Sequence, residues 1–163
     1  MKKLFSAIAI SFVLSGCMNN VSLPNANTPM QPSNQTNIKI EVMKEWARNV
    51  AVLYLCGFHH PKEGIVWNNL AEQLNSLALK YYNEEPEHSA MKTFVLGNLL
   101  TPYMIENNIS LTANSYTELQ QKAKQDKNLE NKVTQAALKV VPKSVCSIQE
   151  AKKLLKSYKD TIL

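Results

Sequence analysis

Met43-Lys44-Glu45-Trp46-Ala47-Arg48-Asn49-Val50-Ala51-Val52-Leu53-Tyr54-Leu55-Cys56-Gly57 is the stretch on which the fold turns. Met43, Trp46, Ala47, Val50, Leu53, Tyr54 and Gly57 recur at i, i+3, i+4 and i+7, the spacing that lines one face of an α-helix. The pattern predicts a helix over residues 38–56, with Gly57 as its C′ stop. A strand reading does not compete. The hairpin dipeptides Asn-Gly and Asp-Gly are absent.

Toward the C-terminus, Pro61, Pro86, Pro102 and Pro142 divide the chain into further segments of helical periodicity. After a turn through His59-His60-Pro61-Lys62-Glu63-Gly64, a second stripe runs through Val66, Leu70, Leu74, Leu77, Ala78 and Tyr81, ending at Asn83-Glu84-Glu85-Pro86. A third uses Met91, Phe94, Val95 and Leu99, and Pro102 should end or kink it, because its ring clashes with the preceding turn. Residues 107–114 read as a loop. Ser115-x-x-Glu118 and Ser147-x-x-Glu150 have the form of capping boxes, each a hydroxyl and a carboxylate placed for the first free backbone N–H groups. The first opens a segment running through Leu129, Val133, Ala136, Ala137 and Val140, with a break near Asp126–Asn128, until Pro142 closes it. The second opens a terminal helix with Ala151, Leu154, Leu155, Tyr158 and Ile162 inward and Lys152, Lys153, Lys156 and Lys159 outward. The expected architecture is all-α, a single-domain bundle of four to six helices over residues 38–163.

Toward the N-terminus the composition changes twice. Lys2 and Lys3 precede an uncharged run from Leu4 to Leu14, a positive n-region and an apolar core of about eleven residues. That core is well short of the roughly 20 apolar residues a spanning helix needs. Leu14-Ser15-Gly16-Cys17 follows. This tetrapeptide resembles the bacterial lipobox, and the resemblance covers the targeting segment alone. It implies that residues 1–16 are a signal peptide removed before Cys17, that the Cys17 sulfur is diacylated, and that the new amino terminus is acylated. Two or more acyl chains give the stable anchoring that one does not. Met18, where Asp would signal retention, is similar to the outer-membrane sorting pattern of enterobacterial lipoproteins. Residues 17–37 then form a tether: beyond Cys17 they are uncharged and rich in Asn, Pro, Ser, Thr and Gln, a composition that buries no core. Flexible-chain statistics place the domain roughly 25 Å from the membrane on average.

Assigning Cys17 to lipid leaves Cys56 and Cys146. In the oxidising compartment that the signal implies, thiols tend to pair, so a Cys56–Cys146 disulfide is expected to staple the first helix to the last. A reactive thiol or an intermolecular bridge are the alternatives. Charge is unevenly spread: Lys39–Glu118 holds six basic and nine acidic residues, whereas Lys122–Leu163 holds ten basic and four acidic. The basic end of an anchored protein faces anionic lipid, an acidic partner, or solvent. Nucleic acid is not expected as a partner, since no aromatic residues interleave the basic ones.

The sequence offers little equipment for chemistry. His59, His60 and His88, with Glu63 and the Glu84-Glu85-Glu87 cluster, carry the residue types that zinc prefers, but the spacing matches no metal signature. Adjacent His59 and His60 diverge on most backbones, and Pro61 favours a turn over a helical ligand face. There is no Gly-x-Ser-x-Gly elbow, and four glycines in the whole chain exclude a Gly-rich phosphate loop. Phe58 lies off the apolar stripes and reads as an exposed aromatic. The leading expectation is an outer-membrane-anchored periplasmic lipoprotein, not an enzyme, that binds an envelope-assembly or secretion protein and carries no cofactor beyond its lipid. In architecture it is similar to the helical pilotin lipoproteins, with no motif shared beyond lipobox, tether, helices and one cysteine pair. The rival expectations are a periplasmic metal-binding protein or hydrolase using His59, His60 and His88, and an inhibitor or immunity-type lipoprotein.

Overall fold

Trp46 is 1% exposed, and three helices meet around it. A computed structural model describes residues 34–162 of the chain. The expected signal peptide 1–16, Cys17 and the expected tether up to residue 33 lie outside the described residues. The described chain forms six helices: α1 (Asn34–His59), α2 (Gly64–Tyr81), α3 (Glu85–Glu106), α4 (Ala113–Gln125), α5 (Lys127–Val140) and α6 (Ile148–Ile162). Single 3₁₀ turns at Pro61–Glu63 and Lys143–Val145 lead into α2 and α6, and no strand occurs among the described residues. The architecture is an all-α bundle closed by one disulfide.

Helix α1 overruns both expected ends. It begins at Asn34, ahead of the periodic stripe, and continues through Gly57 to His59. Gly57 has no positive φ, so it is not a C′ stop. It serves close packing instead: a Cβ built there would lie 3.3 Å from the Trp67 Cβ and 3.3 Å from the Asn68 Oδ1, so the bare backbone lets α1 pass tightly over the start of α2. The stripe on α2 is also turned relative to expectation. Trp67, Leu70, Ala71, Leu74 and Ala78 are buried, whereas Val66 and Tyr81 are exposed and Tyr82, just past the helix, is buried. Two overlapping stripes share Leu70, Leu74 and Ala78, and the one that removes the large Trp67 indole from water wins.

Helix α3 runs straight through Pro102 in sequence and ends only at Glu106. Pro102 cannot donate to the carbonyl four residues back. Burial of Leu99, Leu100 and Met104 on both sides of it holds the helix together. The end of α3 is a Schellman motif: Asn108 takes φ 53°, Ile109 N–H donates to Met104 O at 2.9 Å, and Asn108 N–H to Ile105 O at 3.2 Å. Asparagine here occupies the left-handed position usually given to glycine.

Thr112, not Ser115, caps α4, its Oγ1 accepting from Ser115 N–H at 3.2 Å. Glu118 pairs with Lys122 instead of closing a box. The expected break falls at Asp126, whose Oδ1 accepts from Asn128 N–H at 2.8 Å and Leu129 N–H at 3.2 Å and so starts α5. At α6, Ser147 Oγ accepts from Glu150 N–H at 3.4 Å, while the Glu150 carboxylate turns to Lys153 at 2.7 Å. A capping box does form at α3, where Glu84 and Glu87 satisfy one another's backbone N–H groups.

The core joins all six helices through Trp46, Leu55, Trp67, Leu74, Met91, Leu99, Leu119, Val133 and Leu155 among others. Trp46 donates its indole N–H to Leu74 O at 3.1 Å and packs against Tyr158 of α6, ring centroids 4.2 Å apart. Cys56 and Cys146 are joined with Cα atoms 5.5 Å apart, linking the end of α1 to the segment that opens α6. Because the bridge closes a loop with a sequence separation of 90, its loss should cost up to about 4–5 kcal/mol on the chain-entropy model. Thermal unfolding of the protein with and without reductant, and of the Cys56→Ala/Cys146→Ala variant, checks this; equal melting temperatures would contradict it.

Three tyrosines make stability sensitive to alkali. Burial pushes the Tyr82 hydroxyl up to about 12 from 10.0. Burial also raises Tyr54, which Glu72 raises further, and Tyr158. The unfolded chain ionises first as pH climbs, so stability is unaffected by these groups below about pH 10 and falls between about pH 10 and 12. Urea titrations at pH 9 and at pH 11 should show a lower midpoint at the higher pH.

Candidate functional site

The histidines do not assemble a centre. His59 Nε2 lies 2.6 Å from Val141 O, fastening the end of α1 to the segment after α5. His88 Nε2 lies 2.8 Å from Leu79 O, fastening the start of α3 to the end of α2. His60 Nδ1 is 3.9 Å from Glu63 across the turn between α1 and α2, with its ring 6.1 Å from that of Trp67. Among the described residues no group of three or more His, Cys, Asp and Glu side chains is arranged to hold a metal ion. Of the acidic cluster, Glu84 and Glu87 are absorbed by the α3 cap, and Glu87 also pairs with Lys39, an interaction that lowers the Glu87 carboxyl and raises the Lys39 ammonium. Phe58 is half-buried against the core, not presented to solvent.

What the fold does leave open is a groove of about 1400 Å³ between α1 and α3. One wall is the outer face of α1, where Val42, Glu45, Asn49 and Val52 follow one another along a helical stripe. The other is α3, through Phe94, Gly97, Asn98, Thr101 and Ile105. Tyr116 of α4, Val140 of α5 and Val145 of the turn before α6 close one end. Tyr116 is held there by a 2.6 Å hydrogen bond between its hydroxyl and that of Thr101. A smaller recess of about 260 Å³ shares Arg48, Val52, Asn98, Val140 and Val145 with the groove.

The groove is lined by exposed apolar side chains with a charged margin. Ile105 is 62% exposed and Val140 61%, and Val42 and Val145 also stand in solvent. Glu41, Lys44, Glu45 and Arg48 form a charged margin along α1. Lys44 pairs with Glu41, whereas Arg48, the only arginine in the chain, meets no carboxylate among the described residues. No helix of the described residues is long and apolar enough to cross a membrane. Comparison of the chain with family models, curated proteins and solved structures gives no match.

None of these groove residues stands out as a motif. Val140 reads from sequence as inward, and Ile105, Gly97 and Val145 fall on no single stripe; the groove exists only because α3, α5 and the α6 lead-in converge on the second face of α1. The available signal was the apolar character of that second face, Val42 and Val52, on a helix already buried along its first. At Gly97 a built Cβ meets nothing within 4 Å. Gly97→Ala should therefore stabilise the protein by about 0.5–1 kcal/mol through helix propensity alone. A fall in the melting temperature would show that the groove at this point is filled.

Proposed function

We propose that this protein is a lipid-anchored, non-enzymatic adaptor of the bacterial outer membrane, facing the periplasm, whose α1–α3 groove receives a helix of an envelope-assembly or secretion protein. The observation that carries this reading is the groove itself: two roughly co-directed helical faces, apolar along the floor and charged along one margin. Amphipathic helices bind such grooves by inserting side chains at i, i+3, i+4 and i+7. Isolated exposed apolar residues are ordinary on protein surfaces, but here Val42, Ile105, Val140 and Val145 line one concavity. The lipobox-like Leu14-Ser15-Gly16-Cys17 supports the anchor, and the uncharged residues 18–33 supply the reach.

The test is differential capture from native envelopes by in-cell crosslinking. The wild-type chain should retain an envelope protein that Ile105→Asp and Gly97→Trp each lose, while both variants keep the wild-type melting temperature to within a few degrees. Cys17→Ser should lose incorporated palmitate and with it the same crosslink. A crosslinked partner that persists in both groove variants would place binding elsewhere and remove the groove from the function.

A further inference from the structure

We infer that the lysine row of α6 is a docking face for anionic phospholipid, holding the domain against the membrane that carries its anchor; the inference rests on the reading of Cys17 as the lipidated residue. Lys152, Lys156 and Lys159 are exposed and stand at i, i+4 and i+7, so their ammonium groups fall in one line along a single flank of the helix. None of the three pairs with a carboxylate among the described residues. The carboxylates of α6 are Glu150, which is committed to Lys153, and Asp160. The neighbouring flank of the helix, about 100° round, packs on the core through Ala151, Leu155 and Tyr158.

Direction decides what this row can face. Cys146 before α6 is bound to Cys56 late in α1, whereas Tyr158 late in α6 touches Trp46 and accepts from Asn49 Nδ2 at 3.1 Å. Helix α6 thus runs antiparallel to α1, and its C-terminal half lies toward the end of the bundle where α1 begins. The chain leading back to Cys17 joins at that same end. Lys156 and Lys159 are thus level with the middle of α1 and nearer the tethered end than Lys152, while Lys62, in the turn between α1 and α2, lies at the end farthest from the tether. Of the carboxylates around the row, Glu87 is paired with Lys39 and Glu41 with Lys44, while Asp160, four residues on from Lys156, offsets part of the row's charge. A lysine near an anionic surface gains about 1 kcal/mol, close to fivefold in equilibrium, so three in line bias the orientation of a domain already tethered there. They would not hold an untethered one.

The experiment is lysine-acylation footprinting of the mature lipoprotein reconstituted into vesicles of phosphatidylethanolamine with phosphatidylglycerol, and into vesicles of phosphatidylcholine alone, read by mass spectrometry. Lys152, Lys156 and Lys159 should label severalfold more slowly in the anionic vesicles than in the neutral ones, high salt should abolish the difference, and Lys62 should label alike in both. In Lys152→Gln/Lys156→Gln/Lys159→Gln, which touches only exposed positions, Lys153 should lose whatever protection the anionic vesicles gave it. Equal labelling of the row in both vesicles overturns the inference and leaves the anchor intact. Vesicle flotation reports the anchor separately: a chain that does not float removes both. Protection of the row only when an envelope protein is added assigns the face to that protein and overturns the lipid assignment.

Discussion

Everything in this bundle is arranged around taking the Trp46 indole out of water without losing its hydrogen bond. An N–H buried in an apolar interior is costly without an acceptor, and the Trp46 indole finds one in the spare lone pair of the Leu74 carbonyl on α2. That contact ties α2 to α1 on the face that the burial of Trp67 turns inward. Tyr158 then covers the indole from the other side, which draws α6 in from the far end of the sequence. The disulfide acts at the opposite end of the same pair of helices, so α6 is held at two points, one by packing and one covalently.

Once α2 and α6 are committed to one side of α1, its other side is left to α3 and α5, and these do not cover it completely. The groove is the remainder. It opens where Gly97 contributes no side chain and where Ile105, Val140 and Val145 turn outward in place of filling the core. A docked helix would complete a layer that the chain itself leaves unfinished. The charged margin of α1 and the lysine row of α6 lie outside that layer, and each keeps its charges in water, where exposed ion pairs contribute little to stability and more to what approaches.

Helical class, the positions of most breaks and the pairing of Cys56 with Cys146 were legible because each rests on a local or compositional rule. A break near Asp126–Asn128, Pro142 as a stop and the apolar face of α1 need no knowledge of the rest of the fold. The readings that failed did so where two local rules competed. Gly57 can stop a helix or admit a neighbour, and only the arrival of Trp67 shows which. Pro102 can break a helix or be carried through it, and the burial of Leu99, Leu100 and Met104 settles that. Thr112 and Ser115 are both capping residues three apart, and the helix begins at Ala113, directly after the first.

By itself, then, the sequence determined the repertoire: helices, because apolar residues recur at 3.6-residue spacing; an internal bridge between Cys56 and Cys146 as the expected pairing; and an uncharged stretch rich in Asn, Pro and Ser ahead of the domain. The tertiary structure alone decided which of two overlapping faces of α2 turned inward, which apolar residues stayed outside to line a groove, and which end of the bundle the basic helix approached. Those outcomes follow from side chains far apart in sequence competing for the same buried volume, and no periodicity within one helix records that competition.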